Sequence, residues 1–141
     1  MKIFTIGYQW RTQDDLIEKL NKIFVLGGGI VLDVRANPTS RVKGMSKRSL
    51  KESLTDKGHH YIHLPELGVP AQWRERWIIE QIKREYLQYR LSTAVLRLIL
   101  GLLEFKYVCL LCMERDYREC HRQWIANKLK EMNPKIEVVH L

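Results

Sequence analysis

Short apolar runs alternate along the chain with longer segments in which apolar and polar residues recur at helical spacing. Residues 2–6, 29–34, 60–64, 107–111 and 135–139 have the length and composition of strands. Residues 12–24, 46–57, 73–89, 92–105 and 123–132 read as helices, the last through the spacing of Trp124, Ile125, Leu129 and Met132. Thr12 and Ser92 suit N-caps, Gly27 to Gly29 and Gly58 suit helix stops, and Asn133-Pro134 suits a turn into the last strand. Strands separated by helices imply βαβ units. The expected fold is therefore a small three-layer, Rossmann-like α/β sandwich around a mostly parallel five-stranded sheet.

A parallel sheet brings the residues just past each strand to one edge, where ligands bind in open α/β folds. That rule selects Gly7-Tyr8, Asp33-Val34-Arg35, the 65–68 segment, and Cys112 onward. Asp33 and Arg35 flank Val34 and share one face of an extended chain, so they either pair with each other or hold a ligand. The turn after Asn37-Pro38 ends in the cation of Arg41. The densest chemistry lies in 110–122, where two thiols, acids, arginines and a histidine fill the turn between the fourth strand and the last helix. Cys112 is expected to end that strand and Cys120 to open the helix.

Composition narrows the class. A chain of 141 residues with 45% hydrophobic content can bury one core, so a single domain covering 1–141 is expected. The longest apolar stretch, 95–103, contains Arg97 and is far shorter than the roughly 20 residues of a membrane helix. Residues 3–6 are too short for a secretory core, which points to the cytoplasm and no membrane. Three cysteines favour reduced thiols over a disulfide scaffold. The net charge of +8, concentrated in 41–51 and at Arg74, Arg76, Lys83, Arg84, Arg90 and Arg97, suits a polyanionic partner or simply a solvated basic surface. No zinc finger, recognition helix or RNA-binding sheet signature accompanies it.

In order along the chain stand Thr5-Ile6-Gly7, then Leu32-Asp33-Val34-Arg35 with Pro38 and Ser40-Arg41, then Leu64-Pro65 with Leu67-Gly68, and finally Leu110-Leu111-Cys112 with Glu114 and Cys120-His121-Arg122. This succession resembles the family known as domain of unknown function 488. The resemblance implies a compact Rossmann-like fold with these motifs gathered at one site, and it supplies no established reaction. The family commonly has a His-Ser pair after the first glycine, where this chain has Tyr8-Gln9. It also commonly has a glycine pair after the Leu-Gly motif, where this chain has Val69 after Gly68.

Each candidate has two readings. Cys112 is either a thiolate nucleophile, its pKa lowered by Arg115, Arg118 or Arg122, or a small apolar residue filling a strand end. Cys120 sits where a helix dipole favours thiolate, and it can equally form a disulfide with Cys112. Cys109 reads as core. His121 and Arg122 in the first helical turn suit a bound carboxylate or phosphate, although Arg122 can instead pair with Asp33 or Glu114. Glu114 and His121 can act as an acid/base pair. Tyr8, Asp33, Arg35, Arg41, Cys120 and Arg122 make up the expected substrate-binding set, and Cys112, Glu114 and His121 the catalytic one.

Cys112 and Arg118 have the spacing of a cysteine-phosphatase loop, but 113–117 contains no glycine and carries Glu114 and Asp116, which argues against a phosphate cradle. Cys112, Cys120, His121, His59, His60 and His63 offer soft metal ligands without any common zinc spacing, so neither a metal nor a cofactor is expected. Trp73, Trp77 and Trp124 either stack bases or fill core. Three functions follow in order of preference. The first is a small enzyme with a Cys/Glu/His/Arg site acting on a phosphorylated or nucleic-acid-derived substrate. The second is a nucleic-acid-binding module whose cluster is structural, and the third a protein-interaction domain.

Overall fold

The computed structural model describes residues 1–24 and 27–141. Its elements run β1 (Lys2–Gly7), α1 (Gln13–Ile23), β2 (Ile30–Asp33), α2 (Lys47–Asp56), β3 (His60–His63), α3 (Ala71–Arg76), α4 (Ile79–Glu85), α5 (Thr93–Leu103), β4 (Val108–Cys112), α6 (His121–Met132) and β5 (Glu137–His140). The five strands form one sheet in the order β3-β2-β4-β1-β5, and every pairing is parallel. The expected three-layer α/β sandwich is the observed fold. Among the described residues no helix is long and apolar enough to cross a membrane.

The strands alternate their side chains between two cores, as a period of two requires. Leu16, Leu20, Leu50 and Leu54 of α1 and α2 pack with Phe4, Ile6, Val31, Cys109 and Leu111 on one face. Ile82, Leu96, Ile99, Trp124 and Leu129 of α4 to α6 pack with Ile3, Ile30, Leu32, Val108 and Leu110 on the other. A strand covered on both faces has no polar side, which is why central β4 reads Val-Cys-Leu-Leu-Cys. The edge strand β3, His-Tyr-Ile-His, alternates exposed with half-buried positions, as an edge strand does.

Thr12 caps α1 in a reciprocal box, accepting from the Asp15 N–H at 3.1 Å while Asp15 accepts from the Thr12 N–H at 3.3 Å. Ser92 occupies the N-cap of α5 without a side-chain bond. Gly58 follows the end of α2 at φ 82°, as a helix stop requires. The expected single helix over 73–89 is broken: α3 stops at Arg76, Trp77 is extended, and α4 restarts at Ile79 before a π-helical turn over Tyr86–Arg90. No proline or glycine forces this break. Trp73 and Trp77 both turn onto the core, their ring centroids 5.0 Å apart, and a straight helix could not seat them together with Ile82 and Tyr86.

The strand order places the site. From β1 the chain moves by α1 toward β2 and β3, whereas from β4 it moves by α6 toward β5 at the opposite edge. Adjacent strands whose connections leave in opposite directions open a crevice at their carboxyl ends. Gly7 lies opposite Cys112 at that crevice.

Candidate functional site

The loops after β1 and β4 are laced together by backbone bonds, Tyr8 N–H to the Cys112 carbonyl at 3.1 Å and Gln9 N–H to the Met113 carbonyl at 2.9 Å. Gly7 permits this approach: a Cβ there would overlap the Glu114 carbonyl and stand 3.0 Å from the Arg115 Cα. After β2, the Val34 N–H reaches the Leu111 carbonyl at 3.0 Å. The three strand ends thus converge on the Cys112 turn.

Cys112, the last residue of β4, and Cys120, the N-cap of α6, bring their sulfurs into bonding contact across the turn, with Cα atoms 7.6 Å apart. Both are buried. The expected placements of the two cysteines at strand end and helix start therefore hold, but the preference for reduced thiols does not: the structure shows the two paired. Cys109 is a free, fully buried thiol on the opposite face, and burial raises its pKa.

His121 opens α6 with 2% exposure. Its Nε2 lies 2.6 Å from the Val34 carbonyl, which can only accept, so Nε2 carries the proton and Nδ1 turns its lone pair toward Cys120 Sγ at 3.8 Å. Burial brings the pKa down to about 4, the Val34 bond opposing, so the ring is neutral at pH 7. Tyr86 meets it edge-on at 5.6 Å.

Arg122 is fully buried and satisfied by neutral acceptors rather than by a carboxylate. It donates to the Glu114 carbonyl, to the Arg115 carbonyl at 3.1 Å, to Thr5 Oγ1 at 3.3 Å and to Cys112 Sγ at 3.1 Å. Burial lowers its pKa, with Glu114 pulling the other way. The alternative pairing with the Asp33 or Glu114 carboxylate is not the arrangement found, because the turn wraps its carbonyls around the guanidinium. Glu114, half-buried, places Oε2 at 3.3 Å from Cys112 Sγ and Oε1 at 4.0 Å from an Arg74 Nη1. Its carboxylate faces the sulfur, and His121 is committed to Val34 and Cys120.

Asp33 and Arg35 take the first of their two readings and pair with each other. Asp33 accepts from Arg35 Nε at 2.8 Å and Nη2 at 2.7 Å, and from the Tyr61 hydroxyl. Arg35 also donates to the Met45 carbonyl at 2.7 Å, and its guanidinium lies 5.2 Å from the Tyr8 ring centroid. Burial works against the Arg35 charge, yet the bond and charge of Asp33 prevail and raise its pKa. Burial and Asp33 together raise that of Tyr61. Tyr8, Arg35, Asn37, Arg74, Cys112 and Met113 line a cavity of about 220 Å³.

Arg41 is exposed and lies outside the lining of this cavity. Arg118, its side chain 73% exposed, pairs with half-buried Asp116 at 2.8 Å, so it is not the cation beside Cys112. Two participants went unread in the sequence. Thr5 holds Arg122 and, through Oγ1, His140 Nδ1 at 2.6 Å, and only the pairing of β1 with β5 reveals it. Arg74, one cation among many in the sequence, is the one that α3 carries to the cavity beside Cys112. Comparison with curated proteins and with solved structures gave no match. The family model described as Domain of unknown function DUF488 matches residues 25–129, and the chain belongs to that family.

Proposed function

We propose that this protein is a small cysteine-dependent enzyme acting on a phosphorylated or nucleic-acid-derived substrate, with Cys112 as its nucleophile. One observation carries the reading: Cys112 Sγ has a guanidinium nitrogen of Arg122 at 3.1 Å and a Glu114 carboxylate oxygen at 3.3 Å, and Cys112 lines the same cavity as Arg74. A fixed cation beside a thiol favours thiolate, and a carboxylate at hydrogen-bond range can accept its proton. Arg74, exposed and held among the described residues only by its 4.0 Å pairing with Glu114, is the cation left for a substrate anion, since Arg35 and Arg122 are already bonded on several sides.

The reaction needs both cysteines as thiols. Cys112 passes its proton to Glu114, Sγ bonds to the electrophilic centre, and the leaving group departs with the proton from Glu114. Alkylation tests this on reduced, folded protein. Iodoacetamide is expected to modify Cys112 at neutral pH faster than a thiol of ordinary pKa near 8.5, and Glu114→Gln is expected to shift that pH profile. Labelling of Cys112 only after unfolding overturns the reading.

A second reading rests on the exposed cations Arg41, Lys43, Lys47, Arg48 and Lys51 on and before α2, which suit a nucleic-acid backbone. Binding to single- or double-stranded DNA that weakens steeply with salt supports it, and no binding at low salt removes it.

A further inference from the structure

We propose that Cys112, Cys120 and His121, with both cysteines reduced, form a binding site for a thiophilic divalent ion, zinc. The three residues come from a strand end, a helix cap and the first helical position. One donor atom from each lies within 4.8 Å of the other two, and all three residues are buried. Spacing in the sequence conceals the set, because the first two ligands are eight positions apart and the third adjoins the second.

Three features suit an ion. His121 is held in the ligating tautomer: the Val34 carbonyl occupies Nε2–H at 2.6 Å, the outer-shell bond typical of metal-bound imidazole, and Nδ1 is left with its lone pair toward the sulfurs. The Cα atoms of the cysteines, at 7.6 Å, stand wider than the roughly 4.4–6.8 Å usual for a disulfide. Two thiolates sharing a tetrahedral zinc at about 2.3 Å each sit roughly 3.8 Å apart, farther apart than two bonded sulfurs. Glu114 Oε2 lies 3.3 Å from Cys112 Sγ, and Arg122 donates to the same sulfur.

On binding, two thiol protons are released to solvent and two sulfur–zinc bonds and one nitrogen–zinc bond form; no electrons are transferred. The ion occupies the thiolate that the proposed reaction uses, so the site also caps Cys112. The inference does not rest on the enzyme reading: alkylation without metal tests the nucleophile, and metal binding tests the site.

The experiment uses the reduced chain of residues 1–141 with cobalt(II) as a spectroscopic stand-in, followed by zinc displacement and native mass spectrometry. One ion per chain is expected, with a near-ultraviolet thiolate-to-cobalt charge-transfer band that zinc abolishes. Cys112→Ala and Cys120→Ala are expected to lose the band, Cys109→Ala to keep it, and His121→Gln to bind weakly. Folded wild-type protein that gives no such band overturns the proposal, whatever the variants do. A band that survives in Cys120→Ala overturns it as well.

Discussion

Asp33→Ala removes one member of an ion pair that is out of solvent on both sides. The Arg35 side chain, 6% exposed, then keeps its cation while losing acceptors at 2.7 Å and 2.8 Å, and its backbone N–H loses one at 3.2 Å. The Tyr61 hydroxyl loses its acceptor too. The Met45 carbonyl and the Tyr8 ring remain to the guanidinium. Removing one partner of a buried pair costs about 3–5 kcal/mol, because the other charge stays buried. A domain of this size holds about 5–15 kcal/mol in all. At roughly 2–4 °C per kcal/mol, Tm is expected to fall by about 10 °C. Urea denaturation followed by tryptophan fluorescence measures the loss. Arg35→Met and the double variant complete a thermodynamic cycle. The double variant is expected to be more stable than Asp33→Ala alone, since the unpaired cation leaves with Arg35. A loss below about 1 kcal/mol for Asp33→Ala, or simple additivity across the cycle, refutes the reasoning.

Gly7→Ala is expected to cost about 1–3 kcal/mol or more, read by calorimetry, because its Cβ drives the Glu114 carbonyl off β1; unchanged stability contradicts the close approach described. Arg122→Met removes the cation 3.1 Å from Cys112 Sγ, so alkylation of Cys112 in the reduced chain is expected to slow at neutral pH, and an unchanged rate profile removes Arg122 from thiolate stabilisation. His59 accepts from the Gly29 N–H at Nδ1 and meets Asn21 Oδ1 at Nε2, an arrangement only the neutral ring can make. Burial, then the neighbouring His60, lowers its pKa from the ordinary value. Its contribution to stability is therefore complete above about pH 6.5 and is lost as pH falls below that, where the unfolded chain takes the proton first. Urea midpoints between pH 7 and 5 are expected to fall less steeply in His59→Gln, and an identical slope excludes His59 as the source.

Much of the architecture was legible because parallel sheets write themselves plainly. Buried strands such as β4 are apolar throughout, α1 and α2 carry their apolar stripes, and Thr12 and Gly58 mark an entry and an exit by local chemistry. The 73–89 segment misled because helical spacing persists through Trp77 while the packing of two indoles breaks the helix. The site was legible as a neighbourhood, since strand ends in a parallel sheet must meet at one edge. Its bonding was not. Arg122 satisfies carbonyls that carry no identity in a sequence, and Thr5 enters only because β1 lies between β4 and β5.

Apart from the break at Trp77, the order and kind of the elements, the parallel sheet and the gathering of Asp33, Arg35, Cys112, His121 and Arg122 at one edge were determined by the sequence alone, because periodicity and strand-end position are local properties of the chain. Tertiary structure decided which groups touch. It closed Asp33 onto Arg35, turned His121 Nδ1 and two sulfurs toward one point, placed Arg74 rather than Arg41 at the cavity, and left Arg118 at the surface. Such choices depend on distances of an ångström or less between residues far apart in the chain, and hydrogen bonds and charge pairs act only at that range.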